Sequence, residues 1–192
     1  MAFYINLDTR TDRRDQIEAE CARMSIAVER FPACRSLTPP IGCTLSHLTV
    51  LKLARERGLP SVLVFEDDFE FLVSKDVLDD VLAHLPDDYD VVMLSYNLLR
   101  SEPYNHRFVR VLEAQTASGY IVHSRMYDRL IATLEEGYQL FLANPHVHWL
   151  YINDQYWKRL QPESRWYATT VRMGKQRPGW SDLGQKFVDN QV

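Results

Sequence analysis

Apolar runs of strand length recur along the chain, and segments with helical periodicity lie between them. The apolar runs cover residues 2–7, 61–65, 90–95 and 118–123. The segments RRDQIEAECARM, TLSHLTVLKLARERG and SRMYDRLIATLEEG carry apolar residues at the three- and four-residue spacing of an amphipathic helix. Strands that alternate with helices predict an α/β fold with a mostly parallel central sheet flanked by helices.

The length and composition predict one folded domain. The chain has 192 residues, of which 46% are hydrophobic, and it contains no repeat or low-complexity linker. Domains commonly have about 100–200 residues, so we expect a single domain over residues 1–192. The sequence becomes polar and irregular towards its end, and residues 174–192 are predicted to form a loop or a lid.

The net charge, the apolar stretches and the cysteines indicate which partners and which cellular compartment to expect. A net charge of −4 gives no general basic field, so we expect no nucleic-acid partner. No stretch approaches the ~20 apolar residues of a transmembrane helix, and the first residues lack the pattern of a signal peptide. Three cysteines at irregular spacing indicate reduced thiols. We therefore expect a cytoplasmic protein without a membrane span.

Three adjacent carboxylates follow the strand in the stretch SVLVFEDDFEF. Glu66, Asp67 and Asp68 end an apolar run at the point where open α/β sheets bind their ligands. Carboxylates this close repel one another, and a divalent cation would keep them ionised together. Oxygen ligands favour Mg²⁺ or Mn²⁺. The alternative is a solvated turn without a ligand.

Two arginines begin the helix that follows the first strand. Arg13 and Arg14 oppose the helix dipole there, and a bound phosphate would relieve this conflict. In the alternative, they pair with Asp12, Asp15 and Glu18 on an exposed helix face.

Further polar residues lie near predicted helix starts and in the tail. Ser46 and His47 follow a proline-rich loop, where a histidine can be a ligand, a base or a structural residue. Asp154 precedes a short helical segment and can be either a functional carboxylate or an N-cap. The tail motif KQRPGWSD carries recognition chemistry that suits either a site lid or an ordinary surface loop.

Six motifs in order resemble glycosyltransferase family 25, the lipopolysaccharide and procollagen galactosyltransferase-like family. They are YINLDTRTDRR, IGCTLSHLTVLK, VLVFEDDFEF, ASGYIVHS, IND and QRPGWSD, and they span about residues 3 to 182. The resemblance implies a GT-A type nucleotide-sugar-binding fold. It also implies inverting transfer of a hexose from a UDP-sugar to a glycan or protein hydroxyl, with UDP-galactose or UDP-glucose as the expected donor.

The resemblance also implies roles for individual residues. Glu66, Asp67 and Asp68 would hold Mn²⁺ or Mg²⁺ against the donor diphosphate. Asp154 is the first candidate for the catalytic base and Asp182 the second. The implied donor-binding residues are Asn6, Leu7, Asp8, Arg13, Arg14, Gly42, Ser46, His47, Tyr120, Gln176 and Ser181.

Two other classes compete with a transferase. VLVFEDD also resembles the magnesium-binding strand of receiver domains, but the next strand has Ser95 where a receiver domain has its phospho-acceptor aspartate. A non-catalytic protein that binds nucleotide sugars on the same fold is the second alternative, because a fold does not guarantee chemistry.

Overall fold

A computed structural model describes residues 1–181, 184 and 186–190. Its strands are β1 (Ala2–Asn6), β2 (Val28–Pro32), β3 (Ser61–Glu66), β4 (Phe69–Phe71), β5 (Val91–Met93), β6 (Asn97–Pro103), β7 (Phe108–Gln115), β8 (Gly119–His123), β9 (Trp166–Thr169), β10 (Gly174–Gln176), β11 (Gly179–Ser181) and β12 (Lys186–Val188). Its α-helices are α1 (Thr11–Arg23), α2 (Pro39–Glu56), α3 (Lys75–Ala83), α4 (Tyr127–Ala143) and α5 (Asn153–Tyr156).

Within the described residues, the central sheet has eight strands in the order β2-β1-β3-β8-β5-β9-β7-β6. The half formed by β2, β1 and β3 is parallel, as the alternation of strands and helices predicts. The other half is mixed, because β6 and β7 form a hairpin and therefore run antiparallel. Only residues 116–118 separate β7 from β8, so β8 keeps the direction of β7 and lies antiparallel to β3.

Apolar side chains cover both faces of this sheet. On one face, α2 and α4 bury Leu51 and Leu134 against Val64 and its neighbours. On the other face, α1 and α3 bury Ile17 and Leu78 with the next residue of β3, Phe65. Successive strand residues point to opposite faces, so the central strands β3, β8 and β5 contribute to both cores. The predicted α/β class is confirmed as a three-layer arrangement of helices, sheet and helices.

Phe69 fixes the position of the acidic turn between β3 and β4. Its ring packs against Phe65 and Phe71, with ring centroids 4.7 and 4.8 Å away. Two glycines make room for it, because a Cβ on Gly119 or Gly174 would lie 2.3 or 2.1 Å from the ring. Strand β10 pairs with β4, so the tail also holds the turn in place.

The tail differs from the expected loop. Its described residues form β10, whose backbone pairs with β4, and a small hairpin in which β11 pairs with β12. The hairpin contacts helix α1, where Arg13 Nη2 donates a hydrogen bond to the carbonyl oxygen of Trp180 at 2.8 Å. Whether this segment acts as a lid stays a prediction.

The packing around Phe69 generates a stability prediction. Gly119→Ala and Gly174→Ala should each lower the free energy of unfolding by about 1–3 kcal/mol, because the new methyl group overpacks the ring. Gly179→Ala is the matched control, since no atom lies within 4 Å of its Cβ position. Urea unfolding measures all three. Equal stability of Gly119→Ala and the control would show that the ring is not confined.

Candidate active site

A cavity of about 650 Å³ opens where β1 and β3 end. This volume lies in the range of small-molecule sites, about 300–1,000 Å³. The first residues of α2 and α5 complete the walls, so the cavity occupies the carboxyl edge of the parallel half-sheet. The predicted residues that line it are Leu7, Arg13, Gly42, Ser46, His47, Glu66, Asp67, Asp68, Asp154, Gln176 and Ser181.

Arg13 lies between two carboxylates of the acidic turn. Its Nη1 donates to Asp67 Oδ1 at 2.9 Å and to Asp68 Oδ2 at 3.1 Å. The second oxygen of Asp67 accepts from Asn6 Nδ2 at 2.8 Å. These contacts replace the alternative in which Arg13 pairs with acidic residues of its own helix. That alternative does describe Arg14, whose nearest carboxylate is Asp15 at 3.9 Å.

One arginine does not balance the charge of this turn. Burial and the charge of Glu66 raise the pKa of Asp68 to about 7, in spite of Arg13. Burial also raises the pKa of Asp67. Burial opposes ionisation of Glu66 too, but its hydrogen bond with His47 holds the pKa of that carboxyl below its usual value. The turn therefore has room for additional positive charge beside Asp68.

The residues fit a divalent cation of the predicted kind. Asp68 Oδ1 is buried and has no hydrogen-bond partner among the described residues. Such an atom is costly unless it meets a proton, a water or an ion. The charged residues that line the cavity are Glu66, Asp67, Asp68 and Asp154 against Arg13 and Arg35. With four carboxyl groups and two guanidinium groups, the described lining has a surplus of acidic groups that a bound cation would offset.

Glu66 faces helix α2. Its Oε1 lies 3.1 Å from His47 Nε2, and its Oε2 accepts from Gln176 Nε2 at 3.2 Å. The other ring nitrogen of His47 lies 2.8 Å from the hydroxyl of Tyr120. His47 is thus held at both ends, as the structural interpretation predicts, and it also lines the cavity. Its role as a ligand or base stays a prediction.

Asp154 lies on the cavity wall in the first turn of α5. Ile152 is the N-cap of this helix and no side chain caps it, so the N-cap alternative for Asp154 is wrong. The carboxylate instead accepts a hydrogen bond of 3.0 Å from the backbone N–H of Thr116. Thr116 has φ of 88°, a strained conformation for a β-branched residue. Burial raises the pKa of Asp154 and makes it a stronger base.

Gly42 and Ser46 shape the wall formed by α2. A Cβ on Gly42 would lie 2.5 Å from the carbonyl oxygen of Cys34, so only glycine allows this close approach. Ser46 Oγ accepts from the N–H of Cys34 at 2.8 Å and donates to the carbonyl of Gly42 at 2.7 Å. Both residues therefore hold the preceding loop against the helix beside the cavity.

Some predicted residues do not line the cavity. Asn6 is buried behind the acidic turn, and Tyr120 is buried behind His47. Asp8 pairs with Arg30 at 2.6 Å, and Arg14 is half-buried beside Asp15 of its own helix. Asp182, the second candidate for the base, lies outside the described residues.

The structure adds lining residues that the sequence patterns did not single out. They are Arg35, Cys43, Gln115, Thr116 and Asn153. Cys43 and His47 are four residues apart on one helix, a spacing that places both on one face. No sequence pattern marked Thr116 as a lining residue, because its position depends on a positive φ that hydrophobic periodicity does not predict.

The fold is of the GT-A type. The crystal structure of a glycosyltransferase involved in glycosylation of the major capsid of PBCV-1 superposes with a TM-score of 0.57, at 8% identity over 87% of this chain and 79% of that chain. The crystal structure of A197 from STIV superposes with a TM-score of 0.52, at 14% identity over 97% of this chain and 92% of that one. At these identities the likeness concerns the fold alone.

The family follows from the sequence. Residues 37–134, just over half of the chain, match the profile of "Glycosyltransferase family 25 (LPS biosynthesis protein)". The chain therefore belongs to glycosyltransferase family 25. A Haemophilus influenzae protein named "Putative glycosyltransferase" is 32% identical over 84 residues, which are 43% of this chain and 29% of that protein. The match thus spans less than a third of this relative.

None of the helices formed by the described residues is long and apolar enough to cross a bilayer.

The charge imbalance generates a prediction for metal-free protein. Folding raises the pKa of Asp68 from 3.8 to about 7, so the folded state holds this proton over a pH range in which the unfolded state has lost it. The contribution of Asp68 to stability therefore falls as pH rises through that range, by about 1.4 kcal/mol per pKa unit. Asp68→Asn cannot titrate, so its stability relative to wild type should increase from pH 4 to pH 8.

Urea unfolding in the presence of a chelator measures this difference at each pH. A difference between Asp68→Asn and wild type that stays constant over the whole range would contradict the raised pKa.

Proposed function

We propose that the protein is an inverting glycosyltransferase that transfers a hexose from a UDP-sugar to a hydroxyl group of a glycan or protein. The observation that carries this proposal is the buried and under-neutralised acidic turn in the wall of the 650 Å³ cavity. Membership of glycosyltransferase family 25 supports it. UDP-galactose and UDP-glucose are the proposed donors, and the family description suggests a saccharide acceptor of lipopolysaccharide type.

The acidic turn is the proposed diphosphate end of the donor site. Asp68 would hold Mn²⁺ or Mg²⁺ through its unpartnered oxygen, with Asp67 and Glu66 in support. When bound, such an ion supplies a Lewis acid that stabilises the negative charge of the leaving diphosphate. Arg13 is within reach of the same charge, because its guanidinium already lies beside both aspartates.

Asp154 is the proposed general base. Inversion requires the acceptor hydroxyl to attack the anomeric carbon from the side opposite the leaving diphosphate, and its proton must pass to a base there. Asp154 has a buried carboxylate with a raised pKa on the cavity wall, held by the N–H of Thr116. It belongs to a different element from the acidic turn, so proton transfer and diphosphate binding are assigned to separate carboxylates.

A hydrolysis and transfer screen tests the proposed function. The protein is incubated with Mn²⁺ and a panel of nucleotide sugars, and the release of each nucleoside diphosphate is measured with and without saccharide acceptors. We expect release from a UDP-hexose that increases when an acceptor is present. Binding of UDP without turnover of any donor or acceptor would favour the non-catalytic alternative.

Replacement of Asp154 separates chemistry from binding. Asp154→Asn keeps the size and hydrogen-bond acceptance of the side chain but removes the base, so kcat should fall by about 10²-fold or more. The affinity for UDP with Mn²⁺ should stay near that of wild type. Asp182→Asn is the comparison variant. Normal turnover in Asp154→Asn together with an inactive Asp182→Asn that still binds UDP would transfer the role to Asp182.

Replacement of Arg13 tests its contact with the donor. Arg13→Ala should weaken UDP binding at saturating Mn²⁺ by about tenfold or more, because a charge-assisted contact is worth about 1.5–3 kcal/mol. Arg14→Ala is the matched control, since Arg14 is half-buried like Arg13 and occupies the next position of the same helix but does not line the cavity. Calorimetry compares the two variants. Equal UDP affinities of the two variants would contradict a contact between Arg13 and the donor, and the role of Arg13 would then be limited to its ion pairs with Asp67 and Asp68.

A further inference from the structure

We propose that Cys43, His47 and Glu66 form a binding site for Zn²⁺ in the cavity wall, on the side of Glu66 that faces helix α2. His47 Nε2 lies 3.1 Å from Glu66 Oε1, and Cys43 Sγ lies 3.8 Å from the same oxygen. All three donor atoms lie within 4.8 Å of one another. No other cluster of this kind occurs among the residues that the structure describes.

The spacing of these atoms suits tetrahedral zinc. Bonds from zinc are about 2.3 Å to sulfur and about 2.0–2.2 Å to nitrogen or oxygen, so neighbouring ligand atoms lie about 3.3–3.6 Å apart. The separations of 3.1 and 3.8 Å from Glu66 Oε1 differ from this range by only a few tenths of an ångström. The third pair, Cys43 and His47, lies within 4.8 Å, so these two side chains would have to rotate towards each other to share one ion.

Rigid elements carry the three ligands. Cys43 and His47 are one turn apart on α2, and Glu66 is the last residue of β3. The second ring nitrogen of His47 meets the hydroxyl of Tyr120 at 2.8 Å, which fixes the ring orientation. A metal-bound histidine almost always has such a partner on its other nitrogen.

The ligand types select zinc over the cation proposed for the Asp67 and Asp68 side. Thiolate and imidazole favour Zn²⁺, whereas Mg²⁺ and Mn²⁺ favour carboxylates and water. Three protein ligands leave the fourth position of the zinc open towards the cavity, as in catalytic rather than structural zinc sites. Binding displaces the thiol proton of Cys43 to solvent and replaces the hydrogen bond between His47 and Glu66.

The acidic turn therefore serves two cation sites of different chemistry. Glu66 offers its Oε1 to the zinc site, and Asp68 offers its unpartnered oxygen to a harder ion. The zinc site shares Glu66 and the cavity with the proposed donor site, so its test measures metal binding directly and does not depend on glycosyl transfer activity.

The test titrates the full chain with Zn²⁺ against a chromophoric chelator and with Co²⁺ as a spectroscopic probe. Wild type should bind one Zn²⁺, and its Co²⁺ form should show thiolate-to-cobalt absorption in the near ultraviolet. Cys43→Ser should remove this absorption and weaken Zn²⁺ binding by about 100-fold or more, since even loss of an outer partner costs about 10–100-fold. Cys34→Ser is the control, because Cys34 also lines the cavity but lies outside the cluster.

Two results would overturn the site. One is a Co²⁺ form of wild type without thiolate absorption, and the other is a Cys43→Ser variant that binds Zn²⁺ as tightly as wild type does. If Cys43→Ser does not fold, Glu66→Gln takes its place, because it keeps the size of the side chain. Zn²⁺ affinity of Glu66→Gln equal to that of wild type would likewise contradict the site, and a clear loss would support it.

Discussion

The charge balance of the buried acidic turn is the constraint to which the rest of the site responds. Three carboxyl groups lie side by side in a largely buried part of the cavity wall. Repulsion between their negative charges favours protonation of one of them or binding of a cation. Arg13 relieves Asp67 and part of Asp68, while His47 and Gln176 hold Glu66. One oxygen of Asp68 stays without a partner among the described residues. This arrangement favours binding of a cation beside Asp68, in a cavity that is also lined by Asp154.

The fold keeps the turn in place through close packing rather than through the acidic residues themselves. Phe69 fills the space beside Gly119 and Gly174, so strands β4, β8 and β10 meet around one ring. In the same cavity, the strained backbone of Thr116 directs its N–H to Asp154. The acidic turn and Asp154 are therefore positioned by different elements, as the proposed division between diphosphate binding and proton acceptance requires.

The sequence predicted the class of fold and the place of the candidate site because both follow from local patterns. The apolar run that stops at Glu66 indicated a strand that ends there, and β3 does end at that residue, beside the cavity. The partner of Arg13 could not be predicted in this way, since Asp67 lies 54 residues away along the chain. The antiparallel strands and the pairing of β10 with β4 are also long-range contacts that periodicity does not encode.

The dependence of UDP binding on Mn²⁺ tests the central claim, that the acidic turn is a cation-dependent diphosphate site, most directly. Calorimetric titration of UDP into wild type and into Asp68→Asn, each with and without Mn²⁺, isolates the cation from the rest of the cavity. The account predicts that Mn²⁺ tightens UDP binding to wild type by about tenfold or more, the worth of a charge-assisted contact, and has little effect on Asp68→Asn. Equal UDP affinity of wild type with and without Mn²⁺ would contradict it.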